Sequence, residues 1–195
     1  MADIHTPFSK PVMIHEMKVH EEFKKIIIPE ILKKYEEKPE QKPVWSKNCN
    51  TWATKAMGLN LIQEELCSSI NSWLSFFSYP YVQYKLDAWY NVHTYDMFQE
   101  IHRHMIPDAI LCGVYYLQLS EKDRPITFMN LDDRYMENSR ARKLEPNHPM
   151  MEDCFEPDIK EGDLILFRPD VFHLAPPAKE KHDGLRITLA FNVES

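Results

Sequence analysis

The chain has 195 residues, 44% hydrophobic, 12% aromatic and 27% charged, the balance of a globular protein with a sizeable core rather than a disordered chain. Thirty Asp and Glu outweigh 23 Lys and Arg, for a formal charge of -7, which argues against a broad nucleic-acid footprint. The four cysteines, Cys49, Cys67, Cys112 and Cys154, have neither metal-site spacing nor a disulfide-framework pattern and read as reduced thiols of a cytoplasmic protein. No signal peptide and no apolar run long enough to span a membrane is visible.

Residues 1–13 read as an extended arm whose Pro-Val-Met end opens a first strand. Residues 15–37 carry Phe23, Ile27, Ile31 and Tyr35 on one helical face. Pro29 should kink that helix or divide it in two. His15 and His20 read as solvated surface. Residues 38–58 are a loop with Pro39 and Pro43, then a strand-like VWSKNCNTWA whose Trp45 and Trp52 should pack under the next helix. That helix, 59–78, is amphipathic through Leu59, Ile62, Leu66, Ile70, Trp73 and Phe77 and should end at Pro80.

From Tyr84 the texture changes. KLDAWYNVHTY, AILCGVYYLQL, PITFMNL, EGDLILFRP and LRITLAFNV are short, β-branched or aromatic segments bounded by turn residues. Residues 130–157 are a long polar insertion, either a substrate lid or a disordered spacer. The order predicts one domain, 1–195, with helical support in 1–83 and core strands in 84–195. A β-sandwich or jelly roll with helices packed on one sheet fits that order.

The sharpest chemical signal begins at QEIHRH. In an extended strand, side chains at i and i+2 share a face, so His102 and His104 could reach one ion. His173 follows another apolar run, and Arg186 lies on the last strand with Thr188 on the same face. Neutral imidazole suits Fe, Zn, Cu and Ni alike. A buried arginine beside a hydroxyl is a seat for a carboxylate. A dicarboxylate such as 2-oxoglutarate could chelate the metal at one end and reach Arg186 at the other.

Blander readings exist for each residue. His102 and His104 could be ordinary strand histidines, and Arg186 could pair with Asp87, Asp163 or Asp170. His93 reads as surface or as lying behind the site. His148 and His182 read as loop residues. Tyr115 and Tyr116 point to opposite faces, so at most one lines the site, and Cys112–Gly113 reads as tight strand packing.

From about Ala88 to Val193 the chain resembles the Fe(II)/2-oxoglutarate-dependent oxygenase superfamily, most closely a group of oxygenases common in bacteriophage and bacterial genomes. AWYNVH, QEIHRH, GVYYL, EGDLILFRPDVFH and RITLAFN carry the likeness. It implies a double-stranded β-helix, Fe(II), 2-oxoglutarate and O2, with His102 and His173 as iron ligands. Arg186 would grip the far carboxylate, with Thr188 beside it. Tyr116 or Tyr115, and Asn91, would be further cosubstrate contacts. The superfamily's usual acidic ligand is replaced by His104, with Glu100 and Asp108 as nearby carboxylate alternatives. The implied reaction converts 2-oxoglutarate to succinate and CO2 and hydroxylates a C–H bond of a small-molecule or peptide substrate. The location would be the cytoplasm, a host's if the chain is phage-encoded. The other class is a cupin-like three-histidine metal- or ligand-binding protein, or a dioxygenase that needs no 2-oxoglutarate.

Overall fold

A computed structural model describes residues 10–40, 50–79, 83–130 and 154–195. Among the expectations above, the arm before residue 10, Trp45, Pro80, His148 and all but the ends of the 130–157 insertion lie outside the described residues.

Among the described residues, ten strands form two antiparallel sheets. In chain order they are β1 (Val12–Glu16), β2 (Trp52–Lys55), β3 (Lys85–His93), β4 (Gln99–His102), β5 (Ala109–Gln118), β6 (Thr127–Met129), β7 (Cys154–Phe155), β8 (Asp163–Phe167), β9 (Phe172–Ala175) and β10 (Arg186–Glu194). The larger sheet runs β1-β8-β5-β10-β3-β2 and the smaller β4-β9-β6-β7. From β3 onward the chain passes back and forth between them, the winding of a double-stranded β-helix. Two helices, α1 (His20–Glu37) and α2 (Gln63–Phe76), share a core with the outer face of the larger sheet.

Period-two alternation explains this layering. On β10, Ile187, Leu189, Phe191 and Val193 enter the core shared with the helices. Arg186, Thr188 and Asn192 alternate with them, so they face the other sheet. On β5, Leu111, Tyr115 and Leu117 take the helix side and Cys112 and Tyr116 the inter-sheet side. Gly113 sits under the Phe191 ring. A Cβ there would come within 2.2 Å of Phe191, so the close packing expected at Cys112–Gly113 has a specific cause.

Four local features refine or correct these expectations. α1 is not divided at Pro29. The carbonyl that Pro29 leaves without a donor belongs to Lys25, and both residues are exposed, so water can satisfy it. His20 is buried, not solvated. It starts α1 against β5, with Nδ1 2.9 Å from the Tyr115 hydroxyl and Nε2 3.5 Å from Glu161. Trp52 shares the core with α2, but its edge-to-face ring contact is with Tyr35 of α1. Residues before 84 also supply the edge strands β1 and β2, where the Pro-Val-Met end and the strand-like VWSKNCNTWA placed strands.

α1 has no capping side chain of its own at Val19. Glu65, in the first turn of α2, does the work instead, accepting from the Lys18 and Val19 amides at 2.7 and 3.1 Å. Burial pushes its carboxyl up, but those amides and His15 outweigh it and hold it below its ordinary value. Glu65→Ala should cost about 1–2 kcal/mol near neutral pH, the scale of a lost cap. A carboxyl depressed in the folded state contributes stability above its unfolded value and loses it as pH falls. Chemical denaturation should therefore show the wild-type advantage shrinking below about pH 4.5.

Candidate metal centre

β4 and β9 are neighbours in the smaller sheet, and His102 lies directly opposite His173. Their ring centroids are 4.2 Å apart. His104 is not on the strand with His102. β4 ends at His102, and the chain then turns toward the larger sheet, where the His104 amide donates to the Pro169 carbonyl at 2.8 Å. Its ring still arrives 5.3 Å from His102 and 5.2 Å from His173. One potential ligand nitrogen from each of the three lies within 4.8 Å of the others.

The partners of these rings fix which nitrogen is free. His102 Nδ1 lies 2.7 Å from the Glu100 carbonyl and His173 Nδ1 2.8 Å from the Val171 carbonyl. His104 Nδ1 lies 2.7 Å from Asn192 Oδ1. Oxygen acceptors at all three Nδ1 atoms require N–H there and leave three Nε2 lone pairs. The Gln99 amide nitrogen, 3.3 Å from His102 Nε2, fits a lone pair at that atom. Burial lowers all three pKa values: His102 modestly, His104 to about 4 with His102 adding to the effect, and His173 well below the ordinary range. Near neutral pH each ring is therefore uncharged, the form a metal needs. Neither Glu100 nor Asp108 belongs to the cluster, and Asp108 is exposed in the turn before β5.

Asn192 is the residue that the sequence reading missed. It is 3% exposed, and its Oδ1 also takes the Cys112 thiol proton at 3.3 Å. Burial pushes that thiol up to about 12, so it remains a donor. The signal was present in the alternation: Asn192 shares the strand face of Arg186 and Thr188 in an otherwise apolar run. Asn192→Ala removes the acceptor for His104. It should weaken Fe(II) binding about 10- to 100-fold, as outer-shell changes do, with metal affinity measured anaerobically by competition with a chelator.

The other inter-sheet side chains continue this cavity. Arg186 is 3% exposed, and Nη1 donates to the Arg124 and Pro176 carbonyls at 2.5 and 2.9 Å. Nη2 is buried with no hydrogen-bond partner among the described residues. Of the ion-pair partners considered for it, Asp170 holds Arg168, Asp163 accepts from the Lys160 amide, and Asp87 lies opposite Asn192, toward the other end of β10. Asn91, Thr188 and Tyr116 form a row across three strands, with Thr188 opposite both of the others. All three line the cavity with Arg186 and the histidines. The Tyr116 hydroxyl accepts from the Ile126 amide at 2.7 Å, which leaves its own proton to donate. Tyr115 points the other way, to His20. His93 is buried in the cavity wall, not at the surface. His182 is a loop residue as expected, but its ring is buried against Asp123 at 3.1 Å.

A second cluster of potential ligands, His20, Glu21 and Glu161, occurs among the described residues. There Glu161 already holds the Lys24 ammonium and the Leu119 amide, so it reads as an ion-pair network.

Three inward imidazoles and a buried guanidinium thus share one cavity of a jelly roll. Residues 87–192 match the family model described as "Putative 2OG-Fe(II) oxygenase". The chain belongs to that family, an enzyme family that uses Fe(II), 2-oxoglutarate and O2. Solved structures agree in fold over nearly the whole chain. A prolyl-4-hydroxylase from Pseudomonas putida is 11% identical, with 95% of this chain and 93% of that one covered and a TM-score of 0.64. The viral collagen prolyl hydroxylase vCPH from Paramecium Bursaria Chlorella virus-1, a 2OG complex, is 14% identical over 94% and 95%, with a TM-score of 0.59. HygX from Streptomyces hygroscopicus, with nickel and 2-oxoglutarate bound, is 11% identical over 95% and 83%, with a TM-score of 0.58. A search of the curated proteins finds no match. Among the described residues no helix is long and apolar enough to cross a membrane.

Proposed function

We propose that this chain is a 2-oxoglutarate-dependent dioxygenase that hydroxylates a C–H bond, with His102, His104 and His173 holding Fe(II) through Nε2. The observation that carries the reading is the shared cavity, lined both by the three-histidine cluster and by Arg186 with its unpartnered Nη2. The donor set fits the metal. Imidazole is a ligand for iron, and the outer-shell oxygens hold each ring in the metal-binding tautomer. Bound Fe(II) supplies a site for O2 and for the keto-acid end of 2-oxoglutarate, whose oxidative decarboxylation drives oxidation of the substrate.

The chain's own part is orientation and exclusion of water. Arg186 takes the far carboxylate in charge-assisted hydrogen bonds, with Thr188 beside it on the same strand face. Tyr116 and Asn91 contact the cosubstrate from either side. Phe167 and Ile126 keep the surrounding wall apolar, which strengthens those interactions. The prime substrate is a peptide or small metabolite. Solved relatives of this fold carry both kinds, a peptide fragment in one and hygromycin B in another.

The test is conversion of 2-oxoglutarate to succinate. Purified protein with Fe(II) and O2 should form succinate slowly without a prime substrate and faster with a matching one. The three-histidine set, which lacks a carboxylate, favours one competing reading: a cupin-like protein or a dioxygenase independent of 2-oxoglutarate. Iron-dependent oxidation of a substrate without succinate formation would favour that reading.

A further inference from the structure

The cavity wall holds a polar group that the proposed contacts do not use. His93 closes β3 and is the cross-strand partner of Arg186, on the same face as Asn91. It is 3% exposed. Its Nε2 lies 2.9 Å from Thr51 Oγ1, and that hydroxyl gives its proton to the Phe98 carbonyl at 3.1 Å. A hydroxyl has one hydrogen to donate. In that arrangement the ring donates from Nε2 and carries its lone pair on Nδ1. That Nδ1 is buried with no hydrogen-bond partner among the described residues.

An unmet acceptor on the cross-strand partner of an unmet cationic donor makes a poor seat for a carboxylate, because the guanidinium attracts the anion and the lone pair repels it. One proton removes the conflict. Protonated His93 keeps its Nε2–H on Thr51 and turns Nδ1 into a second donor.

We infer that binding of 2-oxoglutarate takes up one proton from solvent onto His93 Nδ1, so that His93 and Arg186 together hold the far carboxylate. This rests on the reading of the cavity as the cosubstrate site. The proton returns to solvent when the ligand leaves. Without an anion the charged ring is disfavoured, because burial and then the Arg186 charge hold His93 well below its ordinary range. The groups around it do not supply the missing negative charge. Tyr116, from β5, is pushed up to about 12 by burial, and His102, from β4, is held neutral by burial. Thr51, preceding β2, is uncharged. Asp123 acts on Arg186 from outside and is paired with His182. No carboxylate lines the cavity among the described residues, so the ligand itself brings the charge that retains the proton.

Calorimetric titration of 2-oxoglutarate into anaerobic Fe(II)-loaded protein, repeated in buffers of different ionisation enthalpy near neutral pH, counts the protons. Wild type should take up close to one proton per ligand, and His93→Gln close to none. Affinity in the wild type should fall by about tenfold per pH unit on the alkaline side, and the variant should be flat there. Measurable binding with buffer-independent heats in the wild type would overturn the inference and leave the cosubstrate reading standing. So would full proton uptake in His93→Gln. Should that variant fail to fold, the wild-type heats alone decide. Absence of any 2-oxoglutarate binding would sink the site reading and this inference together.

Discussion

His173→Ala is expected to abolish stoichiometric Fe(II) binding. The ring is 4% exposed, directly opposite His102, and packed edge-on against Phe167 at 4.8 Å. Its Nδ1 is tied to the Val171 carbonyl, so its only spare nitrogen faces the cluster. Removing it leaves two donors from one short segment, His102 and His104. Affinity should fall by more than about 100-fold, beyond the 10- to 100-fold typical of an outer-shell change. Anaerobic dialysis against Fe(II) with metal analysis measures this. His173→Gln keeps most of the volume and separates loss of a ligand from loss of packing. Stoichiometric iron retained by both folded variants would remove His173 from the ligand set.

Arg186→Ala should divide the two binding events. In the proposed site iron is held by the three histidines and not by Arg186, so its affinity should stay close to wild type. Binding of 2-oxoglutarate should weaken about 30- to 4,000-fold, the range for truncating one partner of a buried charge pair. Arg186 also ties the Arg124 and Pro176 carbonyls together, so a structural role is a real competitor. Calorimetry with each ligand in turn decides: equal losses for iron and 2-oxoglutarate would mean that the guanidinium only braces the loops.

Several of these features were legible in the chain because they rest on periodicity. β5, β8 and β10 are apolar runs with β-branched and aromatic residues, and the parity of Arg186 and Thr188 on β10 places both on one face. The same parity contained Asn192 and, on β3, His93 beside Asn91, but a strand face does not reveal which polar groups lack partners. His104 was read as a strand residue because spacing of two is a strand rule. The chain leaves β4 after His102, and a backbone hydrogen bond to Pro169 carries the ring to the cluster instead. His20 looked exposed because its neighbours in sequence are charged. Its burial depends on Tyr115, far along the chain, which no local pattern encodes.

In the proposed site His104 stands where the superfamily's usual ligand is a carboxylate, which alters the charge that the protein places around a divalent ion. Three neutral imidazoles leave that charge uncompensated and favour anionic ligands, which suits a diacid seated between the ion and Arg186. The orienting role of Asn192 belongs to the same adaptation, since a ring needs its tautomer fixed in a way that a carboxylate does not.

Whether this cavity brings iron and the diacid together is tested most directly by anaerobic absorption spectroscopy. Fe(II)-loaded protein titrated with 2-oxoglutarate should develop the weak visible charge-transfer band of the iron chelate, saturating at one diacid per iron. Stoichiometric iron with no band at saturating 2-oxoglutarate would contradict the account.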